Sequence, residues 1–261
     1  MDVFAHTVYV NGVPEIATAY FSYSSRMMSQ IAEILGKSED ALYYADLADV
    51  TCKAYNYIEV KDGKSSSDRQ CRYVRPLYMG LLRAEDAKQA AKDLNDLVVK
   101  NNYHLNTGFL TTPYLCKVLA DYGYVETAYK LLLQEDTPGW LFAVKNGATT
   151  IWESWEGHFG DVGFASLNHY SKGAVASWLF EGICGIHVEE QNIIVKPQPC
   201  NLMKHAKAAF DSPVGCIESG WEYAGDHVQY TITIPANTTA TFILPDGSEK
   251  PLRPGTHQFL V

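Results

Sequence analysis

The stretch Pro113–Leu132 decides the fold class, and it reads PYLCKVLADYGYVETAYKLL. Apolar residues recur three or four positions apart on both sides of Gly123, which is the spacing of one buried face on each of two helices. Pro113 suits the first turn of the first helix, and glycine commonly ends one. The stretch therefore predicts an α-hairpin, two antiparallel helices joined by a tight turn.

Five more amphipathic segments precede residue 186. They lie at residues 19–35, 38–55, 71–81, 84–98 and 174–179. Ser38 is the expected N-cap of the second of these helices, and Pro76 is expected to kink or shorten the third. Together with the hairpin at Gly123, these segments predict about seven helices.

Tight turns alternate with long connections between these helices. The long connections lie at residues 59–68, 103–111 and 135–168. Every second connection in a series of helical hairpins lies at the same end, so the long ones are predicted to share one face, where functional residues usually lie. Stacked hairpins indicate an α/α toroid or solenoid, and the lack of a repeat of fixed period disfavours a regular solenoid.

The pattern changes from helices to strands after Gly185. Short strands with turn residues between them are expected at residues 192–196, 228–234 and 239–244. The last part of the chain is therefore predicted to be a small all-β sandwich. The expected division is a partial (α/α)6-barrel catalytic domain at residues 1–186 and a C-terminal β-sandwich domain at residues 187–261.

The composition of the chain argues against several classes of function and location. A net charge of −9 argues against nucleic acid as a partner, because phosphate binding needs a basic surface. No segment is long and apolar enough to span a membrane, and the N-terminal residues do not have the pattern of a secretory signal. Six cysteines without paired spacing are expected to be buried free thiols in a reducing compartment, so a cytoplasmic location is predicted.

Known nucleotide, hydrolase and metal motifs are missing from the sequence. It contains no glycine-rich phosphate loop, no G-x-S-x-G motif, no H-E-x-x-H motif and no calcium-binding loop. Nucleotide chemistry, serine hydrolysis and metalloproteolysis are therefore disfavoured. No metal and no cofactor are expected.

A carboxylate between two indoles indicates a carbohydrate site. Glu153 lies between Trp152 and Trp155 in the longest connection of the chain. A carboxylate can act as a base or a nucleophile, and an indole face can stack on the apolar side of a sugar ring. The alternative is a solvated glutamate beside two core tryptophans.

Two further loop segments hold polar residues next to helix starts. In Asn168-His169-Tyr170-Ser171, His169 could bind a sugar hydroxyl, while Asn168 or Ser171 could simply cap the following helix. The segment 105–113 also combines threonine, glycine and proline before a helix, which is ordinary capping chemistry. Both segments lie in, or at the end of, long connections.

Four ordered segments resemble the bacterial α-L-rhamnosidases of glycoside hydrolase family 78. They are Thr107–Leu115, Ala128–Trp140, Gly147–Trp155 and Asn168–Val175. The resemblance covers nearly the whole chain, including a β-sandwich at its end. It implies an (α/α)6 barrel and inverting hydrolysis of terminal α-L-rhamnosyl residues in a rhamnose-containing glycoside or polysaccharide.

The resemblance also implies residue roles. Glu153 matches the glutamate that serves as general base, and Trp152, Trp155 and His169 match residues that line the rhamnose subsite. An inverting enzyme needs this base on one face of the sugar and an acid on the other, with carboxyl groups roughly 6.5–9.5 Å apart.

The chain departs from the family pattern in two ways: it has fewer helices, and it lacks the segment that carries the general acid. An (α/α)6 barrel has twelve helices, and the family's general acid lies in an earlier helical segment than any matched here. The chain is thus expected to be the C-terminal part of a rhamnosidase, with little activity alone. Apolar faces left by the missing helices predict self-association or marginal stability.

Two other functions stay open at this point. The first is a non-catalytic carbohydrate-binding or scaffold remnant of such an enzyme. The second is a plain helical interaction module, which would bind no sugar at all.

Overall fold

The structure is a computed structural model that describes residues 14–60, 67–159, 165–189 and 192–261. Most of the predicted connection at 59–68 therefore lies outside the described residues. The chain divides into two compact units. The first comprises the described residues up to Asn102 together with Asn106–Thr111, and the second comprises Tyr103–Leu105 with the described residues from Thr112 onwards.

The described residues of the first unit form four helices. They are α1 (Pro14–Ile34), α2 (Ser38–Glu59), α3 (Cys71–Tyr78) and α4 (Ala84–Lys100). The expected cap at Ser38 is wrong by one position, because Lys37 is the N-cap residue and its side chain forms no capping hydrogen bond. Pro76 lies inside α3, which ends two residues later, as a proline in the helix interior predicts.

Helices α1 and α2 form an antiparallel hairpin around a seam of small residues. The hydroxyl of Ser22 donates to the carbonyl of Ala48 at 2.9 Å, and that of Ser29 donates to the carbonyl of Ala41 at 2.9 Å. Because small side chains let two backbones approach, these hydroxyls reach across to the partner helix. Gly36 makes the turn between the helices with φ +69°.

A buried charge network joins three helices of the first unit. The Arg75 guanidinium donates to both carboxylate oxygens of Glu15, from Nε at 2.9 Å and from Nη2 at 2.6 Å. The Tyr55 hydroxyl donates to Oε1 of Glu15 at 2.9 Å. All three side chains are at most 3% exposed. Burial, followed by the charge of Glu15, raises the pKa of Tyr55 well above its usual range, so its hydroxyl stays a donor.

The outer surface of α1 and α2 is unusually apolar. Exposed large apolar side chains on these helices and on the turn between them include Met27, Met28, Ile31, Ile34, Leu35, Leu42 and Tyr43. Surfaces of this kind are typical of association sites. Self-association of the chain stays a prediction. Among the described helices, none combines the length and the apolar composition needed to cross a bilayer.

The predicted hairpin lies in the second unit. Helix α5 (Thr112–Asp121) and helix α6 (Val125–Leu132) are joined at Gly123, which has φ +89°. The fully buried side chains of Leu115, Leu119 and Leu131 lie between them. The hairpin predicted from the opening stretch is therefore confirmed.

The helical part continues with one helix that the sequence did not indicate and one of mixed form. Helix α7 (Trp140–Lys145) lies inside the predicted long connection. The predicted last helix consists of a 3-10 segment (Tyr170–Val175), one α turn that we label α8 (Ala176–Trp178) and a π segment (Leu179–Ile183). Gly182 packs so closely on the Trp178 indole that a Cβ there would lie 2.1 Å from Nε1.

Among the described residues, eight strands form two four-stranded sheets. They are β1 (Ile186–Glu189), β2 (Asn192–Val195), β3 (His205–Ser212), β4 (Gly215–Ala224), β5 (His227–Ile234), β6 (Ala240–Ile243), β7 (Glu249–Leu252) and β8 (Gly255–Leu260). The orders are β1-β2-β6-β7 and β3-β4-β5-β8, and only β2 and β6 pair in parallel.

Aromatic residues pack between the two sheets. The ring centroid of Phe242 on β6 lies 5.3 Å from that of Tyr230 on β5 and 5.0 Å from that of Phe259 on β8. The sandwich also contacts the π segment, because Trp221 Nε1 donates to the carbonyl of Ile183 at 2.8 Å. The predicted class, a helical part followed by a small β-sandwich, is confirmed.

None of the six cysteines forms a disulfide. Cys116, Cys184 and Cys200 are buried, and burial raises the pKa of Cys184 to about 11. Cys52 and Cys71, however, are half-buried, and Cys216 is exposed on β4, so the expectation that all the thiols are buried is wrong for these three.

Candidate active site

The predicted site lies on two paired segments of the second unit. The Glu153 N–H donates to the carbonyl of Ser166 at 2.9 Å, and the His169 N–H donates to the carbonyl of Ile151 at 2.7 Å. The Thr150 hydroxyl also bonds the carbonyl of Leu167. These bonds hold residues 150–153 beside residues 166–169, although neither segment belongs to a regular sheet. The structure thus brings Glu153 and His169 onto neighbouring segments.

The Glu153 side chain is exposed and oriented. Its Oε2 accepts a hydrogen bond from the Ser166 N–H at 2.7 Å. Together with the bond from Glu153 N–H to Ser166, this makes a reciprocal pair between the two residues. The carboxylate is therefore held in one direction while it stays accessible to solvent.

Trp152 is a buried anchor of the loop, 6% exposed. Its indole packs edge-on against His158, with ring centroids 5.4 Å apart. Gly157 packs directly on the indole with φ +57°, and a Cβ at this position would lie 2.2 Å from Cε3 of Trp152. A side chain at residue 157 would thus meet both backbone strain and a clash.

Substituting Gly157 by alanine should lower the free energy of unfolding by about 2–4 kcal/mol, because overpacking adds to the cost of a positive φ. Gly147→Ala is the matched control, since Gly147 also has positive φ but nothing lies within 4 Å of its added Cβ. We expect the control to lose only about 1 kcal/mol in urea denaturation. Equal losses in the two variants would show that Gly157 does not pack against Trp152.

Trp155 lines a cavity of about 270 Å³. The Trp140 ring packs edge-on against the Trp155 ring, with ring centroids 5.7 Å apart and planes at 89°. The other lining residues are Gly139, Ala143, Val144, Ala148, Thr149, Thr150, Ile151, Trp152, Ser154 and Lys172. An aromatic cavity with few polar groups is a common form of ligand site. Glu153 and His169 do not line it, although both tryptophans that flank Glu153 do.

Lys172 is buried beside these indoles. Its Nζ lies 3.8 Å from the centre of the Trp155 ring, and its carbonyl accepts a hydrogen bond from Trp140 Nε1 at 2.9 Å. Burial lowers the pKa of Lys172 to about 8, while the charges of Glu156 and Glu153 act in the opposite direction. At neutral pH the cavity wall therefore carries a positive charge.

His169 caps the mixed helix. Its Nδ1 lies 3.0 Å from the Ser171 hydroxyl, and the ring stacks on Tyr170 with centroids 5.9 Å apart. The expectation that Asn168 or Ser171 is the cap is therefore wrong, because His169 is the N-cap residue and its side chain accepts from the Ser171 N–H. The bond to Ser171 fixes the ring orientation.

The third predicted segment, residues 105–113, is divided between the two units. Residues 106–111 belong to the first unit, where Thr111 N–H donates to the carbonyl of Gly108 at 3.0 Å. Within the described ranges, no group of three or more His, Cys, Asp or Glu side chains could hold a metal ion.

Sequence reasoning missed Trp140, Ser166 and Lys172. Trp140 and Lys172 occur in the segments that resemble the rhamnosidases, so their positions were marked but their roles were not. The local sequence around Lys172 does not predict that its side chain is buried, because it is buried by contacts with two tryptophans that are distant in the sequence.

Comparisons with known proteins identify the family. The family model of the bacterial α-L-rhamnosidase 6 hairpin glycosidase domain matches residues 10–183, and that of the bacterial α-L-rhamnosidase C-terminal domain matches residues 191–258. The chain belongs to the bacterial α-L-rhamnosidase family. The predicted partial six-hairpin barrel with a terminal sandwich agrees with this membership.

Similar sequences are α-L-rhamnosidases of much greater length. One from Formosa agariphila is 34% identical over 254 residues, which is 94% of this chain and 27% of the relative. Another from Streptomyces avermitilis is 37% identical over 239 residues, which is 88% of this chain and 23% of the relative. The chain spans about a quarter of the length of these curated relatives.

Solved rhamnosidase structures share the fold. The Aspergillus terreus α-L-rhamnosidase matches with a TM-score of 0.91 and 30% identity over 96% of this chain and 31% of that one. The Streptomyces avermitilis enzyme, solved in complex with L-rhamnose, matches with a TM-score of 0.88 and 33% identity over 95% of this chain and 27% of that one.

Proposed function

We propose that the chain carries the general-base side of an α-L-rhamnosidase site. The whole site would hydrolyse terminal α-L-rhamnosyl residues of a glycoside or polysaccharide with inversion. The observation that carries the proposal is the fixed, exposed carboxylate of Glu153 beside the cavity of Trp155. Membership of the family supports it.

In this proposal Glu153 removes a proton from water. The water oxygen attacks the anomeric carbon, the bond from that carbon to the leaving oxygen breaks, and an acid on the opposite face protonates the leaving oxygen. We assign no residue of this chain as that acid. The chain alone is therefore expected to turn over little or no substrate.

The aromatic residues have different parts in this site. Half-buried Trp155 offers an indole face to the cavity, so we assign it the stacking role. Trp152 supports the loop from behind, because nearly all of its surface is buried. His169, with its ring fixed by Ser171, is assigned to hydrogen bonding with a sugar hydroxyl.

A second candidate is a carbohydrate-binding segment without catalysis. One observation favours it: the cavity is complete without Glu153, which does not line it. Sugar binding would then survive the loss of the carboxylate. Turnover by a complete barrel that contains this chain separates the two candidates.

Binding of L-rhamnose to the chain tests the carbohydrate site. Calorimetric titration should show weak saturable binding that Trp155→Ala weakens at least about fivefold, because stacking contacts with an aromatic ring contribute about 1 kcal/mol or more. Titration with D-rhamnose is the matched control and should show no saturable binding. Absence of L-rhamnose binding would contradict the proposal and favour a helical interaction module.

A further inference from the structure

Lys172 is the single ionisable residue among the described residues that line the cavity. It is 6% exposed, although lysine is rarely buried without a partner. Within the described part of the chain its ammonium forms no salt bridge, and it lies over the Trp155 indole at 3.8 Å. Burying a charge is costly, so this arrangement requires an explanation.

Lys172 contacts two of the tryptophans that line the cavity, one through its side chain and one through its backbone. The side chain contacts the ring face of Trp155, and the backbone carbonyl accepts from Nε1 of Trp140 at 2.9 Å. A cation over an indole is attracted to the negative ring face, and the attraction is strongest where water is excluded. Lys172 therefore contacts both indoles, which also pack edge-on against each other.

We propose that Lys172 is a positioning residue of the sugar site, whose ammonium holds the Trp155 indole in its stacking orientation and supplies positive charge beside Glu153 and Glu156. This inference rests on the proposed function and adds a residue to it. One face of Trp155 is engaged by the ammonium, so the sugar stacks on the rest of the indole surface that borders the cavity.

The charge of Lys172 should make sugar binding depend on pH. The groups that act on its ammonium are the carboxylates of Glu156 and Glu153, while the cavity faces of α7 contribute Trp140, Ala143 and Val144, which do not titrate. With a pKa of about 8, the amine loses its proton as the pH rises through this value. Affinity for L-rhamnose should therefore fall above about pH 8.

This loss can be distinguished from unfolding by its direction. The pKa of Lys172 in the fold lies below the ordinary value of 10.5, so the unfolded chain binds more protons between these values. The contribution of Lys172 to stability therefore rises with pH in this window. Deprotonation of Lys172 therefore does not itself unfold the chain, and a fall in affinity that is absent from Lys172→Met reports the charge on Lys172.

The test is the affinity for L-rhamnose, measured from pH 6 to about 9.5. Across this pH range the affinity of the unsubstituted chain should fall at least about threefold, which is the effect expected from losing a partly buried cation–π contact. Lys172→Met should bind at least about threefold more weakly at pH 7, with no pH dependence. Lys172→Arg should keep its affinity at pH 9.5, because arginine stays charged. Lys172→Met with unchanged affinity and unchanged pH profile would overturn the proposal.

Two controls complete the experiment. Lys145→Met removes an exposed lysine on α7 that pairs with Glu135, and it should follow the unsubstituted chain. If the unsubstituted chain binds no L-rhamnose at any pH, the proposed function fails, and Lys172 is then judged from tryptophan emission without sugar. That emission should change near pH 8 and should not change in Lys172→Met or Trp155→Phe. A flat emission in the unsubstituted chain would overturn the positioning role.

Discussion

Replacing Glu15 by glutamine is expected to lower the free energy of unfolding of the chain by about 3–5 kcal/mol. The reason is the positive charge of Arg75, which remains buried after the substitution. Arg75 donates two hydrogen bonds to Glu15 inside the first unit, and both side chains are almost completely buried. A neutral partner leaves the guanidinium uncompensated where water cannot reach it.

Two variants test this explanation by urea denaturation. Glu33→Gln changes an exposed glutamate on the same helix and should cost less than about 0.5 kcal/mol. The double variant Glu15→Met with Arg75→Met removes both charges and should be more stable than Glu15→Gln, because no buried charge is left unpaired. If Glu15→Gln costs no more than Glu33→Gln, the pair does not hold the unit together.

The α-hairpins could be predicted because their signals are local. Pro113, Gly123 and the apolar spacing between them specify two helices and a turn without reference to the rest of the chain. Helix α7 could not be predicted in the same way. Its six residues are too few for a helical period, and none of them is fully buried.

Strands were predicted only where β-branched and aromatic residues dominate. β5 alternates clearly and was found, whereas β3 contains three alanines, a lysine and a histidine, which have little preference for strands. β3 exists because it pairs along its whole length with β4, from His205 opposite Glu222 to Ser212 opposite Gly215. This is a tertiary effect.

The site was predicted from residue type, and its geometry was not. Carboxylate and indole side chains in the segment around Glu153 indicated a sugar site, but the bond to Ser166 joins residues thirteen positions apart. Burial of Lys172 and of the pair Glu15–Arg75 likewise depends on contacts between distant segments. Long-range polar pairing of this kind leaves no periodic mark in a sequence.

Replacing Glu153 by glutamine is expected to lower kcat about 100- to 10,000-fold in a complete barrel. A suitable enzyme is a chimera in which this chain replaces the segment that it matches in the Streptomyces avermitilis relative. Glutamine has the shape of glutamate and can still accept from the Ser166 N–H, but its amide cannot take a proton from water. The binding of substrate should therefore change little, so the loss falls on kcat.

Asp136→Asn is the matched control for this substitution. Asp136 is an exposed carboxylate in the same long connection, and its removal should change kcat less than about threefold if carboxylates there act only through charge. Azide offers a second check, because an anionic nucleophile needs no base. Added azide should speed the reaction of Glu153→Ala and leave the unsubstituted chimera unaffected.

The central claim is that Glu153 activates water at a rhamnose site whose acid lies outside this chain. Release of 4-nitrophenol from 4-nitrophenyl α-L-rhamnoside tests it most directly. We predict turnover by the chimera, its loss in the Glu153→Gln chimera and none above buffer for the chain alone. Unchanged turnover in the Glu153→Gln chimera would contradict the role of Glu153 as the base. Clear turnover by the chain alone would contradict the claim that the acid lies outside it.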